Sequence, residues 1–229
     1  QKIVGRCSGR SEYGPRALGN RSILADARNK KMRDYLNIKV KHREIFRPFA
    51  PVVLEENTKE YFDLKQSSPF MLLVAKSHKS SKIPSAIHVD KTARVQTINQ
   101  TQNKDLYDLI KKFSKKTNVP VILNTSFNDA GEPIVETPLD AIICFLQTKL
   151  DYLVLNDVVL NRLKNKHLKL QSLKKYRLQQ VQKFEKFAKK KLLRKINKSE
   201  FLKKKKYHND KAIFYSIYNS KQKLFKFLK

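Results

Sequence analysis

Three glycines and three arginines alternate in Gly9-Arg10-Ser11-Glu12-Tyr13-Gly14-Pro15-Arg16-Ala17-Leu18-Gly19-Asn20-Arg21-Ser22, a combination suited to an anion. Glycine lets the backbone approach a ligand and expose its N–H groups, while a guanidinium fork matches phosphate or carboxylate with two parallel hydrogen bonds. Gly14 and Gly19 have the separation of a phosphate-binding loop, but Asn20-Arg21 stand where that pattern has Lys and then Ser or Thr, so the likeness is superficial. The competing reading is a surface turn whose arginines pair with Glu12 and Asp26.

A second basic run, Lys39-Val40-Lys41-His42-Arg43-Glu44-Ile45-Phe46-Arg47-Pro48, leads into an apolar segment. Cations alternating with apolar residues ahead of a strand can aim Lys41, Arg43 and Arg47 to one side, where they could hold a polyphosphate. A solvated strand edge accounts for the same pattern. The third cluster, Asn124-Thr125-Ser126-Phe127-Asn128-Asp129, ends an apolar run and precedes Gly131. Ligands of α/β sheets bind beyond the carboxyl ends of strands, where amides and hydroxyls contact phosphate. An Asx-type turn is the alternative.

Other chemistry finds no support. His42, His78, His88, His167 and His208 lack metal-ligand spacing, and His88, inside an apolar run, reads as a core histidine. Cys7 and Cys144 are too few and too far apart for a disulfide framework or a zinc site, so a reducing, cytoplasmic setting is expected. Cys144, within Ile142-Ile143-Cys144-Phe145, reads as core. No apolar run approaches the roughly 18 residues that span a bilayer, and no signal peptide is recognisable.

The 229 residues carry 50 Lys+Arg against 20 Asp+Glu, a formal charge of +30 that first points to nucleic acid. The excess is uneven: residues 1–160 hold 26 basic and 17 acidic residues, and residues 161–229 hold 24 and 3. All five Gly and all eight Pro lie at or before Pro138. We therefore divide the chain near residue 160, into a turn-rich globular part and a Lys-rich tail.

The elements that must position the clusters follow from periodicity. Residues 3–4 read as a strand stub, as though something preceded it, 6–22 as a loop, and 27–36 as a helix with Met32, Tyr35 and Leu36 at helical spacing. Runs at 49–54, 70–75, 86–89 and 93–98 read as strands. The last two form a hairpin around Asp90-Lys91-Thr92, where Lys91 takes a position that favours φ > 0. Leu106, Leu109, Ile110 and Phe113 repeat at i, i+3, i+4 and i+7, which makes 104–117 a helix. Residues 119–123 read as a buried strand. Thr137, Pro138 and Asp140 supply the N-cap, first-turn proline and capping box of a helix running through 145. Residues 152–155 and 158–160 form a second hairpin. Interleaved helices with strands joined by hairpins predict an α/β (α+β) fold with a mixed sheet rather than a doubly wound parallel one. In the tail, Leu173, Val181, Phe184, Ala188, Leu192 and Ile196 suggest one amphipathic helix, and Ile213, Phe214, Ile217, Tyr218, Leu224, Phe225 and Leu228 another.

Taken in order, four segments carry a resemblance. They are Gly9-Arg10 with Glu12 to Leu24, then Lys41, Arg43 and Phe46-Arg47-Pro48-Phe49-Ala50-Pro51, then His88-Val89-Asp90 with Thr92 to Thr97, and finally Pro120 to Asn128 with Gly131 to Val135. Over about residues 2–160 the chain resembles the C-terminal domain of the O-carbamoyltransferases, which include the nodulation protein NodU and enzymes that carbamoylate cephalosporin and aminoglycoside antibiotics. The resemblance implies a YrdC-like domain that forms a carbamoyl adenylate from carbamoyl phosphate and ATP with Mg2+. The carbamoyl group then passes to an acceptor hydroxyl held by an N-terminal kinase-like (ASKHA-type) domain, which also binds a metal not expected in this chain.

By the same resemblance, Arg16 contacts carbamoyl phosphate, Lys41 and Arg47 hold phosphates with Arg43 assisting, and Arg94 is a further anion ligand. Lys41, Arg47 and Arg94 are thus the catalytic candidates. Asn124, Ser126 and Asn128 form the nucleotide-side polar loop. Two departures stand out: Asp90-Lys91 replaces the usual Asp-Gly, and Arg6-Cys7-Ser8 stands where aromatic residues are common. Two rival readings remain. One is a threonylcarbamoyl-adenylate synthase of tRNA modification, against which the Glu12 to Gly19 segment argues. The other is a binding module whose basic tail holds a polyanion weakly; the same Lys-rich composition also describes a merely solvated helix.

Overall fold

The computed structural model describes residues 2–165 and 169–198. Among them, eight strands build one mixed sheet: β1 (Val4–Cys7), β2 (Arg21–Ala25), β3 (Ala50–Leu54), β4 (Leu73–Lys76), β5 (Thr92–Ile98), β6 (Val121–Ser126), β7 (Tyr152–Leu155) and β8 (Val158–Asn161). Their order is β4-β5-β3-β6-β2-β1-β7-β8, with β1/β7 and β3/β5 parallel and the other neighbours antiparallel. The helices are α1 (Met32–Lys39), α2 (Thr58–Tyr61), α3 (Lys104–Thr117), α4 (Pro138–Gln147) and α5 (Leu170–Lys198). The mixed sheet with packed helices is the expected fold class. The sheet and α1–α4 belong to the first of two compact units, Gln1–Lys174, and α5 continues into the second, Lys175–Lys229. No helix among the described residues is long and apolar enough to cross a membrane.

Period-two alternation gives the sheet two apolar faces. Ile23, Val53, Val95, Val121 and Leu123 face one core, shared with Met32 and Leu36 of α1 and Ala141, Cys144 and Phe145 of α4. Leu24, Val52, Leu54, Ile98 and Ile122 face the other, which Leu106, Tyr107 and Ile110 of α3 complete. Full burial of Leu106 and Ile110 contributes about 2 kcal/mol each. Helix α3 spans the residues its periodicity predicts, with Asn103 Oδ1 accepting from the Leu106 N–H and Asn118 closing it at φ +56°. Helix α4 has the expected capping box between Thr137 and Asp140. The β7–β8 hairpin forms as read.

Four expectations are corrected. Residues 6–22 are not all loop: β1 runs to Cys7 and β2 starts at Arg21, so the glycine–arginine segment is the connection of an antiparallel pair. The helix expected from residue 27 starts at Met32, because Asp26 Oδ1 accepts from the Arg28 N–H and Asn29 Oδ1 from the Lys31 N–H, which turns the chain first. Residues 86–89 are no strand. A 3₁₀ turn covers Pro84–Ala86, and the antiparallel partner of β5 is β4, which begins only at Leu73. The strand expected at 119–123 is β6, which extends through Ser126. The tight turn at Lys91 does form, with φ +63°. The first tail helix is α5, and the second, 213–228, lies outside the described residues.

Candidate active site

Helix α3 covers only part of its face of the sheet. Further along the same face, by the same alternation, come Ala50 of β3, Arg94 and Gln96 of β5, and Asn124 and Ser126 of β6. Ala50, Arg94, Asn124 and Ser126 line a cavity of about 400 Å³ together with Arg16, Arg43, Arg47 and Phe49. Four arginines distant in sequence thus converge on one space.

The wall bearing Arg16 is fixed by polar side chains. Glu12 Oε1 accepts from the backbone N–H groups of Leu18 at 2.8 Å and Asn20 at 2.7 Å. From the sheet, Asn124 Nδ2 donates to the Ala17 carbonyl at 3.0 Å and Gln96 Nε2 to the Leu18 carbonyl at 2.9 Å. Gly19 takes φ +128°, a conformation open to glycine, and a Cβ there would lie 2.6 Å from Leu106 of α3. Arg10 and Arg21 do not line this cavity as Arg16 does. Arg21 is buried and donates to the carbonyls of Ser8, Gly9, Asn20 and Glu136, which shapes the loop.

The wall bearing Arg43 and Arg47 depends on a residue that sequence reasoning passed over. Asn37 of α1 is fully buried, and its Nδ2 donates to the carbonyls of Ile45 and Arg47 while Arg43 Nε donates to its Oδ1 at 2.7 Å. The Arg43 guanidinium also lies over the Phe49 ring, 4.8 Å from its centre. Arg47 forms an ion pair with Glu44 at 2.8 Å with both side chains about half exposed, a contact worth at most about 1 kcal/mol and easily exchanged for a ligand. Arg16 and Arg94 have no acidic partner within ion-pair distance among the described residues. A polar residue on the otherwise apolar face of α1 is the one signal that could have drawn attention to Asn37.

Lys41 is placed differently from the arginines. It is 4% exposed, lines neither this cavity nor the adjoining one, and directs its three N–H groups at four oxygens. These are the Ser126 carbonyl at 2.9 Å, Ser126 Oγ at 3.3 Å, the Asn128 carbonyl at 2.9 Å and Asn128 Oδ1 at 2.5 Å. Burial, and then the neighbouring Arg43, lowers its ammonium to about 8. Burial likewise lowers the Arg43 guanidinium, with Arg47 adding to the effect. Like-charge crowding of this kind favours an anionic ligand. The next residue, His42, meets Asp129 Oδ1 at 2.7 Å through its Nδ1.

Arg16 and Ser126 are shared with an adjoining cavity of about 460 Å³, which Asn128, Glu12, Glu132 and Glu136 also line. Of the polar residues expected on the nucleotide side, Ser126 and Asn128 therefore face this second space, whereas Asn124 is a buried strand residue, 1% exposed. His88 is not a core histidine. It is half-buried, lines the arginine cavity and contacts Thr92 Oγ1 through Nδ1 at 3.0 Å, and burial lowers its pKa. Its neighbours form a turn rather than a strand, which brings its ring to the surface of the cavity. Cys144 is buried as expected, and burial pushes its thiol up to about 12, which removes it as a nucleophile.

Comparison with known proteins gives a consistent picture. Residues 1–162 match the family described as Carbamoyltransferase C-terminus. The chain is 47% identical over 165 residues to nodulation protein NolNO of Sinorhizobium fredii, covering 70% of this chain and 24% of that protein. It is 46% identical over 165 residues to nodulation protein NolO of Bradyrhizobium diazoefficiens, covering 70% and 30%. Against nodulation protein U of Sinorhizobium fredii the identity is 42% over 126 residues, covering 54% and 22%. The chain thus spans less than a third of the length of each of these relatives.

Proposed function

Since the chain belongs to the carbamoyltransferase family, matching its C-terminal part, we propose that it activates a carbamoyl group for transfer to an acceptor hydroxyl. In this reading carbamoyl phosphate, ATP and water yield carbamoyl adenylate, phosphate and pyrophosphate. The adenylate then gives its carbamoyl group to an acceptor bound by a kinase-like N-terminal domain or subunit, in the cytoplasm.

The observation that carries this reading is the convergence of Arg16, Arg43, Arg47 and Arg94 on one cavity of about 400 Å³. Two phosphorylated substrates bring many negative charges together, and more charge gathers on the departing pyrophosphate. Positioned cations in a partly enclosed space are therefore the main stabilising influence such chemistry needs. Arg16, Arg43, Arg47 and Arg94 bind phosphate oxygens in this scheme. Lys41 acts by holding Ser126 and Asn128, which contact the nucleotide from the second cavity, and by adding its charge to the field. Mg2+ accompanies ATP as part of the substrate; its charge would further neutralise the phosphates.

The threonylcarbamoyl-adenylate synthase alternative is disfavoured because the Glu12 to Gly19 segment falls within the carbamoyltransferase match. The polyanion-binding alternative rests on the charge of the tail alone. The experiment that tests the proposal measures pyrophosphate release from ATP by the 229-residue chain with and without carbamoyl phosphate. Release that depends on carbamoyl phosphate is expected, and release indifferent to it contradicts the reading.

A further inference from the structure

Asn124 lines the arginine cavity, is 1% exposed, and has its carboxamide held one way round. Its Nδ2 donates to the Ala17 carbonyl at 3.0 Å and to Gln96 Oε1 at 2.7 Å, while Gln96 Nε2 donates to the Leu18 carbonyl at 2.9 Å. Turning either amide over would set an oxygen against a backbone carbonyl, which accepts only. Asn124 Oδ1 is therefore a fixed acceptor, and among the described residues no donor reaches it. Buried acceptors are nearly always paired in folded proteins, so an unpaired one beside a ligand cavity calls for a donor on the ligand.

The arginines of the same cavity offer only donors. A fully ionised phosphoryl group satisfies them and has no donor to give to Asn124. What satisfies both is an anion with an N–H donor close to its phosphate. In carbamoyl phosphate only an oxygen and a carbon separate phosphorus from a planar amino group. ATP presents its amino group across the ribose and the ring system from its phosphates. Resting on the reading that this cavity takes carbamoyl phosphate, we propose that Asn124 Oδ1 accepts a hydrogen bond from the carbamoyl amino group. It thereby selects carbamoyl phosphate over acyl phosphates of the same charge and shape. This assigns Asn124 to the carbamoyl group rather than to the nucleotide, with the Ala17 carbonyl and Gln96 Oε1 together fixing its amide so that the unpaired atom is the oxygen.

Acetyl phosphate is the discriminating probe, since it replaces the amino group with a methyl of similar size. Calorimetric titration of both compounds into the full chain is expected to show at least about tenfold preference for carbamoyl phosphate, the scale set by leaving one buried polar group unpaired. Asn124→Ala is expected to bring the two within about threefold. Gln96→Ala loosens the same network but keeps the acceptor, so it should retain most of the preference. The wild-type comparison needs no variant to fold. Equal affinities in the wild type, or a preference that survives Asn124→Ala, overturn the role of Asn124 and leave the cavity's function standing. Binding of neither compound by the wild type, at any concentration where phosphate sites fill, overturns the functional reading itself.

Discussion

The Lys41 ammonium donates to two oxygens of Asn128, its backbone carbonyl at 2.9 Å and its Oδ1 at 2.5 Å. With the Ser126 carbonyl it thereby ties the 126–128 segment to the chain that follows α1, across 85 residues. Lys41→Met keeps the stem and removes the donors, so several buried acceptors lose their partner. Desolvation of the ammonium offsets part of that loss, and a net cost of about 2 kcal/mol is expected in urea denaturation near neutral pH. A variant as stable as the wild type would show that the contacts contribute nothing.

The same lysine gives a pH dependence with a defined sign. Its ammonium titrates at about 8 in the folded chain against an ordinary 10.5. Between those values the unfolded chain holds more protons, so the contribution of Lys41 to stability rises with pH across that window. Anion affinity moves the other way, because the positive charge is lost above about 8 while the arginines keep theirs. Carbamoyl phosphate affinity is expected to fall severalfold with a midpoint near 8, and to lose that step in Lys41→Met. A wild-type profile flat through this range contradicts it.

Two glycines of the first loop should respond unequally to alanine. Gly14 (φ +122°) has open space around its would-be Cβ, whereas Gly19 (φ +128°) would bring a Cβ 2.6 Å from Leu106 and 3.3 Å from Asn103. Gly14→Ala carries only the backbone strain, about 1–2 kcal/mol. Gly19→Ala adds a clash with a fully buried leucine and should cost about 3 kcal/mol or more, read as a larger drop in Tm. Equal losses would mean that the loop is not held against α3 as described.

At α4, Thr137 Oγ1 accepts from the Asp140 N–H while Asp140 Oδ2 accepts from the Thr137 N–H. Thr137→Ala is expected to cost about 1 kcal/mol in chemical denaturation, and Thr137→Asn to recover most of it. Failure of the asparagine to recover any stability would point to a packing role for the threonine methyl instead.

How much of this could be read from the residues varies with the range of the interaction. Helix α3 and the start of α4 are decided locally, by an apolar stripe and a cap, and both were legible. Strand β2 was not. It has five residues, begins with the arginine and serine that close a polar loop, and exists because β1 and β6 pair with it from either side. The arginines of the cavity could be named from their type, but the groups that orient them could not. Gln96 acts on Leu18, 78 residues away, and Asn37 on the carbonyls of a turn whose shape no propensity predicts. Lys41 was legible as a site residue but not as one turned inward, because its four acceptors come from a strand end far along the chain.

The central claim is that the arginine cavity activates a carbamoyl group with ATP. ATP–pyrophosphate exchange tests it most directly, measured on the 229-residue chain with carbamoyl phosphate present or absent, beside Arg94→Ala and, as a surface control, Lys65→Ala. Arg94 lines the cavity and has no acidic partner within ion-pair distance among the described residues, so its loss should reduce exchange at least about tenfold with the fold intact. Exchange stimulated by carbamoyl phosphate in the wild type and the lysine control, and nearly abolished in Arg94→Ala, is the predicted result. Exchange that ignores carbamoyl phosphate, or that persists undiminished in Arg94→Ala, contradicts the account.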